Sequence, residues 1–215
     1  MATVVPGILT NDENEYRSRL EKAEHVCNLV QIDVVDGKFA PSKTVGVDVI
    51  KKYPPSCFLE IQLMVIYPMN YIDELASLPF VTKIIFPFEI DGDIYENIYL
   101  VKKFEKSVGL SLNPDTPVGA SLHYFDDIDL LLLMTGRPGF SGQKLGEDTY
   151  ERIISAKKIN NSLPVEVDIG VNFKNASKLA FAGADFLVSS SGLYNEPDFR
   201  IAFEKMTKLA DVSNR

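Results

Sequence analysis

The sequence predicts an α/β fold, a (β/α)8 TIM barrel formed by one domain over residues 1–215. Three observations predict it. Apolar, β-branched runs alternate eight times with amphipathic segments. Each run is too apolar for a strand with one wet face, which implies parallel strands covered on both sides. The polar and glycine-rich residues gather where the runs end, which is where a barrel keeps its functional groups.

The first strand is expected at 3–9, followed by a helix at 12–26 capped by Asn11. The second strand, 29–36, carries Asp33 and Asp36 at its end and leads to a helix at 47–53. The third, 57–65, ends in Gln62 and Met64, before a helix at 69–78. Strands at 83–89 and 108–113 alternate with helices at 93–106 and 117–126. The sixth strand, 129–135, runs into a glycine-rich loop, Pro138 to Gln143, ahead of a helix at 147–160. The seventh, 164–169, ends at Asp168 to Gly170, with Asn172 as cap for a helix at 173–182. The eighth, 185–191, ends at Ser189 to Gly192, and a helix at 198–211 closes the chain. Right-handed crossovers leave an open doubly wound sheet or a closed barrel, and eight repeats favour the barrel.

At 215 residues the chain is long enough to bury a sizeable core, and 46% hydrophobic with 24% charged residues argues against disorder. A net charge of -8 disfavours nucleic acid and anionic membranes as partners, so a phosphorylated ligand has to be held locally. Cys27 and Cys57 sit among apolar neighbours and are expected to be buried free thiols in a reducing cytoplasm. Met1 to Leu9 lacks the basic start and apolar core of a signal peptide, and no apolar run has the length of a membrane helix. A cytoplasmic protein is expected.

The loop Arg137-Pro138-Gly139-Phe140-Ser141-Gly142-Gln143 has two glycines that let backbone N–H groups approach an anion, although a tight turn needs glycine as well. Gly170 and the segment Ser190-Ser191-Gly192 fall on the same rim, where barrels commonly hold phosphate. Serines there also serve as helix caps.

Period-two geometry puts Gln31, Asp33 and Val35 on one face of the second strand, and Glu166, Asp168 and Gly170 on one face of the seventh. If both faces are inward, Asp33 and Asp168 oppose each other across the mouth. Two carboxylates flanking a sugar suit proton removal on one side and return on the other, which is epimerisation chemistry. Each alone is also what a helix cap or a lysine partner looks like.

Five blocks in this order, Asp33-Val34-Val35-Asp36-Gly37-Lys38-Phe39-Ala40-Pro41, Gln62-Leu63-Met64-Val65, Leu112-Asn113-Pro114-Asp115-Thr116-Pro117, Pro138 to Gln143 and Glu166 to Asn172, give a chain that resembles the ribulose-phosphate 3-epimerase family. The resemblance runs from Pro6-Gly7-Ile8-Leu9 to Glu196-Pro197-Asp198. It implies a barrel of the ribulose-phosphate-binding type and a cytoplasmic enzyme of the pentose phosphate pathway. The expected reaction inverts C3 between ribulose 5-phosphate and xylulose 5-phosphate, with Asp33 and Asp168 moving the proton through an enediolate. Contacts to the phosphorylated sugar are implied for Met64, Met134, Gly139, Phe140, Ser141, Gly142, Gly170, Ser190 and Ser191. A homo-oligomer is implied too.

The departures lie around the sugar. The family holds a divalent metal, often zinc or iron, with two histidines and the two aspartates, but Gln31 and Gln62 stand at the histidine positions. Gly7 replaces a serine, Val35 a methionine and Ile169 a glycine, while Pro87 lies near a usual histidine. The metal candidates are therefore Gln31, Asp33, Gln62 and Asp168, an oxygen set that suits Mg2+ or Mn2+ better than Zn2+ or Fe, or holds no metal at all. Arg137 is a candidate positive group in place of the ion. His25 and His123 fall in helices elsewhere and are read as packing or surface residues. The alternative reading is a catalytically degenerate phosphosugar-binding barrel that senses or scaffolds. A third, a decarboxylase or aldolase-type barrel related to hexulose-phosphate synthase, is disfavoured because Glu60-Ile61-Gln62-Leu63-Met64 lacks the lysine of that group's Asp-x-Lys-x-x-Asp motif.

Overall fold

The computed structural model describes residues 1–212; residues 213–215 of the predicted domain lie outside the described residues. The strands are β1 (Thr3–Ile8), β2 (Leu29–Val35), β3 (Phe58–Met64), β4 (Val81–Pro87), β5 (Ser107–Leu112), β6 (Leu130–Met134), β7 (Val165–Asp168) and β8 (Phe186–Ser189). Between and after them lie the helices α1 (Glu13–Glu24), α2 (Val47–Lys52), α3 (Met69–Ala76), α4 (Ile94–Lys103), α5 (Thr149–Ile159), α6 (Ala176–Ala182), α7 (Ser191–Tyr194) and α8 (Phe199–Ala210). The strands pair in parallel, each with its sequence neighbour, and β1 pairs with β8 to close the barrel. No helix among the described residues is long and apolar enough to cross a membrane.

Two apolar regions follow from the alternation of side chains along each strand. The larger fills the space between strands and helices, with Ile32, Leu63, Ile84, Leu110, Leu131 and Val167 among its buried members. The smaller is made of the inward residues Val35, Met64, Ile85, Leu130, Leu132 and Met134, with Ala40 of the loop after β2 packed on them. Gly109 on β5 has no side chain because Ile85 fills its place: a Cβ there would lie 2.6 Å from Ile85 Cγ1. Deeper in the barrel, Lys83 Nζ meets Glu60 Oε2 at 2.7 Å and Glu166 Oε2 at 3.8 Å, and sits 4.7 Å from the centre of the Phe186 ring. Strand pairing is uneven. Among the described residues β2 and β3 share seven residue pairs, whereas β1 and β2 share two and β7 and β8 share two, the latter Glu166 with Phe186 and Val167 with Leu187.

Several local expectations need correction. Residues 117–126 are not an α-helix but a 3-10 helix over Val118–Tyr124, consistent with a start at Pro117 and glycine at 119, a poor helix former. The eighth strand stops at Ser189, and Ser191–Tyr194 forms the short helix α7 instead of continuing the strand. The fourth strand runs Val81–Pro87, two residues earlier than expected. Asp12, not Asn11, caps α1, its side chain accepting from Glu15 N. Asn172 does not cap α6. Asn175 holds that position, while the Asn172 carboxamide oxygen accepts from Lys174 N within the preceding turn. Both cysteines are free, Cys57 buried and Cys27 half-buried, donating to the Ala23 and Leu29 carbonyls.

Candidate active site

β2 and β7 carry Asp33 and Asp168 into the upper barrel, where both are buried. Gln31 and Gln62, fully buried, lie between them. Gln31 Nε2 is 2.8 Å from Asp33 Oδ1, 2.8 Å from Gln62 Oε1 and 3.4 Å from Asp168 Oδ2. The Gln62 terminus is in turn 3.0 Å from Asp33 Oδ1 and 2.9 Å from Asp168 Oδ2, contacts that become hydrogen bonds when its amide is turned to present nitrogen. Asp168 Oδ1 accepts from Ile169 N at 2.7 Å. The four side chains expected to surround a metal therefore do converge, and hydrogen bonds join them.

Burial dominates the electrostatics. Asp33 is pushed well above the carboxylate range, first by burial and then by the Asp168 charge, against the Gln31 hydrogen bond. Asp168 is pushed up to about 6 by burial, with the Ile169 N–H and Gln31 opposing. Two residues deeper, burial and Glu60 push Glu166 up as well, against the Lys83 charge. For Lys83, burial favours the neutral amine, but Glu166 and Glu60 outweigh it and hold the ammonium. A carboxyl whose pKa approaches neutrality exchanges protons readily near physiological pH, as acid or as base.

Above the carboxyls opens a cleft lined by Asp33, Met64, Met134 and Asp168 on one side and by Gly139 to Gly142, Gly170, Ser190 and Ser191 on the other. Every contact residue expected from the sequence borders this one cleft. Leu9, Ile169, Val171 and Val188 line it too. Gly139 (φ 82), Gly142 (φ 76) and Gly170 (φ 77) take left-handed backbone, a conformation that glycine adopts without steric cost. A Cβ on Gly170 would meet Leu145 N at 2.5 Å, whereas one on Gly142 meets nothing within 4 Å. The Gln143 carboxamide ties the loop together, donating to the Arg137 and Phe140 carbonyls and accepting from Arg137 N. Asp36 pins the loop after β2, with Oδ1 accepting from Lys38 N and Phe39 N and Oδ2 from Ile66 N.

Two cations that the sequence reading missed support this rim. Arg152 on α5 is buried and donates to the Met134 carbonyl at 2.7 Å and the Asn113 carbonyl at 2.9 Å, fixing the ends of β6 and β5. Arg19 on α1 is 3.4 Å from Ser190 Oγ, lies over the Tyr194 ring at 5.0 Å and pairs with Glu15. Helical spacing of Glu15 and Arg19 was the available signal, but it does not reveal a contact with a serine 171 positions away. Arg137 is exposed and does not line the cleft, so the expectation that it supplies positive charge beside the carboxyls finds no support in its position. His25 ends α1 and His123 lies in the 3-10 helix, both outside the cleft lining.

The departures have physical counterparts. A Cβ on Gly7 would lie 2.8 Å from Val188 Cγ1, so the valine occupies space that a residue 7 side chain would need. Ile169 holds φ 78, a left-handed conformation that costs a β-branched residue about 1–2 kcal/mol.

Comparison with known proteins matches residues 3–194 to the Ribulose-phosphate 3 epimerase family. The chain is 34% identical over 217 residues to the ribulose-phosphate 3-epimerase of Bacillus subtilis (strain 168), covering 96% of this chain and 98% of that one. It is 30% identical to the enzyme of the same name from Escherichia coli (strain K12), covering 98% and 97%. Among solved structures it is similar to 3-hexulose-6-phosphate synthase from Salmonella typhimurium, with a TM-score of 0.70, 14% identity and coverage of 97% and 98%. It is similar also to orotidine 5'-phosphate decarboxylase from Pyrococcus horikoshii OT3, with a TM-score of 0.67, 14% identity and coverage of 97% and 99%. At such identity these two likenesses concern the fold alone.

Proposed function

The chain belongs to the ribulose-phosphate 3 epimerase family, a family of isomerases, and we propose that it inverts C3 of a ketose phosphate, ribulose 5-phosphate to xylulose 5-phosphate and back. The observation that carries this reading is the placement of Asp33 and Asp168 in one cleft with the glycine loop of Gly139 to Gly142. The loop and the Gly170 and Ser190-Ser191 segments hold the phosphate through backbone and hydroxyl donors. That leaves C3 of the sugar over the carboxyls. One aspartate, ionised, removes the C3 proton, and the electron pair moves into an enediolate. The other, protonated, returns a proton to the opposite face of C3, so one proton leaves and one arrives. The raised pKa values of the buried pair support one member acting as acid while the other acts as base.

The test is proton exchange at C3 of ribulose 5-phosphate in heavy water, with Asp33→Asn and Asp168→Asn as controls. Exchange by the unmodified protein, lost by about a thousandfold or more in either variant, is expected. Phosphate binding without any exchange would instead favour a barrel that binds the sugar and has lost the chemistry.

A further inference from the structure

The residues between Asp33 and Asp168 do not fit the zinc or iron centre that the family resemblance implies. Among the described residues no group of three histidine, cysteine, aspartate or glutamate side chains is arranged to hold a metal ion. The two amides are joined to each other at 2.8 Å, a hydrogen bond that makes one of them present nitrogen and the other oxygen. An amide nitrogen has no lone pair for a cation. As the side chains stand, the nitrogen is that of Gln31, 2.8 Å from one carboxylate and 3.4 Å from the other. With the Gln62 amide turned it is that of Gln62, 3.0 and 2.9 Å away, and the Gln31 amide then turns with it, because the two termini lie 2.8 Å apart and two amide nitrogens cannot hydrogen-bond. Either way an N–H donor stands against both carboxyls. A hard cation would need both amides to present oxygen at once, which breaks the hydrogen bond between them.

We propose that the Gln31–Gln62 amide pair takes the place of a bound cation in this chain: its N–H donors hold Asp33 and Asp168 together, and the protein functions without a divalent metal. Gln31 and Gln62 are positioning residues here, acting through the two aspartates. The metal-free site stands on the geometry of the amides; only the claim about turnover rests on the epimerase reading.

The experiment uses the full chain, purified and then dialysed against a chelator. Metal content is measured by plasma mass spectrometry, Mn2+ binding by the electron paramagnetic resonance signal of free Mn2+, and C3 exchange with and without the chelator. The expected result is far less than one metal per chain before dialysis, a free Mn2+ signal undiminished up to millimolar concentration, and exchange indifferent to the chelator. Stoichiometric metal, submillimolar Mn2+ binding or exchange that appears only with added metal would overturn the proposal and leave the epimerase reading intact. Absence of exchange under every condition would sink the epimerase reading, while the metal measurements still decide this one. Two variants sharpen the result. The double change Gln31→His with Gln62→His is expected to gain zinc by at least about a hundredfold in affinity, because two imidazoles then join two carboxylates. Gln62→Met, which keeps the length and removes the amide, is expected to slow exchange about tenfold or more with no recovery on adding Mn2+. Recovery by Mn2+ in that variant would contradict the proposal.

Discussion

Ser42 Oγ donates a 2.7 Å hydrogen bond to the carbonyl oxygen of Gly139, so the loop after β2 closes against the loop after β6 at the mouth of the barrel. The approach is close because residue 139 has no side chain: a Cβ there would lie 2.3 Å from Ser42 Oγ and 2.9 Å from Ala40 Cβ. Ser42→Ala is expected to weaken inorganic phosphate binding by about three- to tenfold, since a typical hydrogen bond contributes about 0.5–1.5 kcal/mol. Isothermal titration checks this. Unchanged affinity would mean that the Gly139 loop holds its shape alone.

Two glycines of the cradle are expected to fail in different ways. Gly142→Val meets open space, so its cost is backbone strain of about 1–2 kcal/mol and an obstructed anion site. Gly170→Val drives its side chain into the Leu145 backbone and should lower the melting temperature more than Gly142→Val does. Thermal unfolding alongside phosphate titration separates the two. Equal loss of stability in both would contradict the packing described.

Arg19 is expected to act on the phosphate through Ser190. Arg19→Met should raise KM for the phosphorylated substrate by about tenfold with kcat nearly constant, and Arg19→Lys should recover part of the loss. A drop in kcat with unaltered KM, or equal weakening of a non-phosphorylated analogue, would assign Arg19 to packing against Tyr194 instead.

Asp168 makes stability depend on pH with a definite sign. Its pKa is about 6 in the fold against 3.8 in the unfolded chain, so between these values the folded protein keeps a proton that the unfolded one has lost. The contribution to stability is fully present below 3.8 and is lost as pH rises through 6, a loss of about 3 kcal/mol. Denaturant unfolding from pH 3.5 to 7.5 should therefore show Asp168→Asn gaining on the unmodified protein by about that amount as pH rises. A constant difference between the two would refute the raised pKa.

Much of the fold is legible because the outward strand faces are mostly apolar and β6 is an unbroken apolar run, while the polar residues of β2 and β3 fall on alternate, inward positions. The errors arise where local chemistry competes with that pattern. Ser190-Ser191-Gly192 continues an apolar run yet turns into α7, and Val118–Tyr124, after Pro117 and with the poor helix former Gly119, is a 3-10 helix in place of the expected α-helix. At the site, period two identifies the inward faces of Asp33 and Asp168. It says nothing of which end of an amide points at a carboxylate, because contacts between Gln31 on β2, Gln62 on β3 and Asp168 on β7 decide that across the barrel. Arg152 and Arg19 escaped for the same reason: their partners are distant in sequence.

The sparse pairing of β7 with β8, matched among the described residues by that of β1 with β2, gives the ring of strands a seam. A closed sheet parts where it has few stitches, and parting there would bare two unpaired strand edges able to recruit other chains. The two sides of that seam end in Gly170 and in Ser190, both on the cleft. An anion gripped by both therefore staples the ring from above. Saturating phosphate would then slow amide hydrogen exchange in β7 and β8 more than in β2 and β3, and the supply of ligand would govern how long the protein resists aggregation as well as what it turns over.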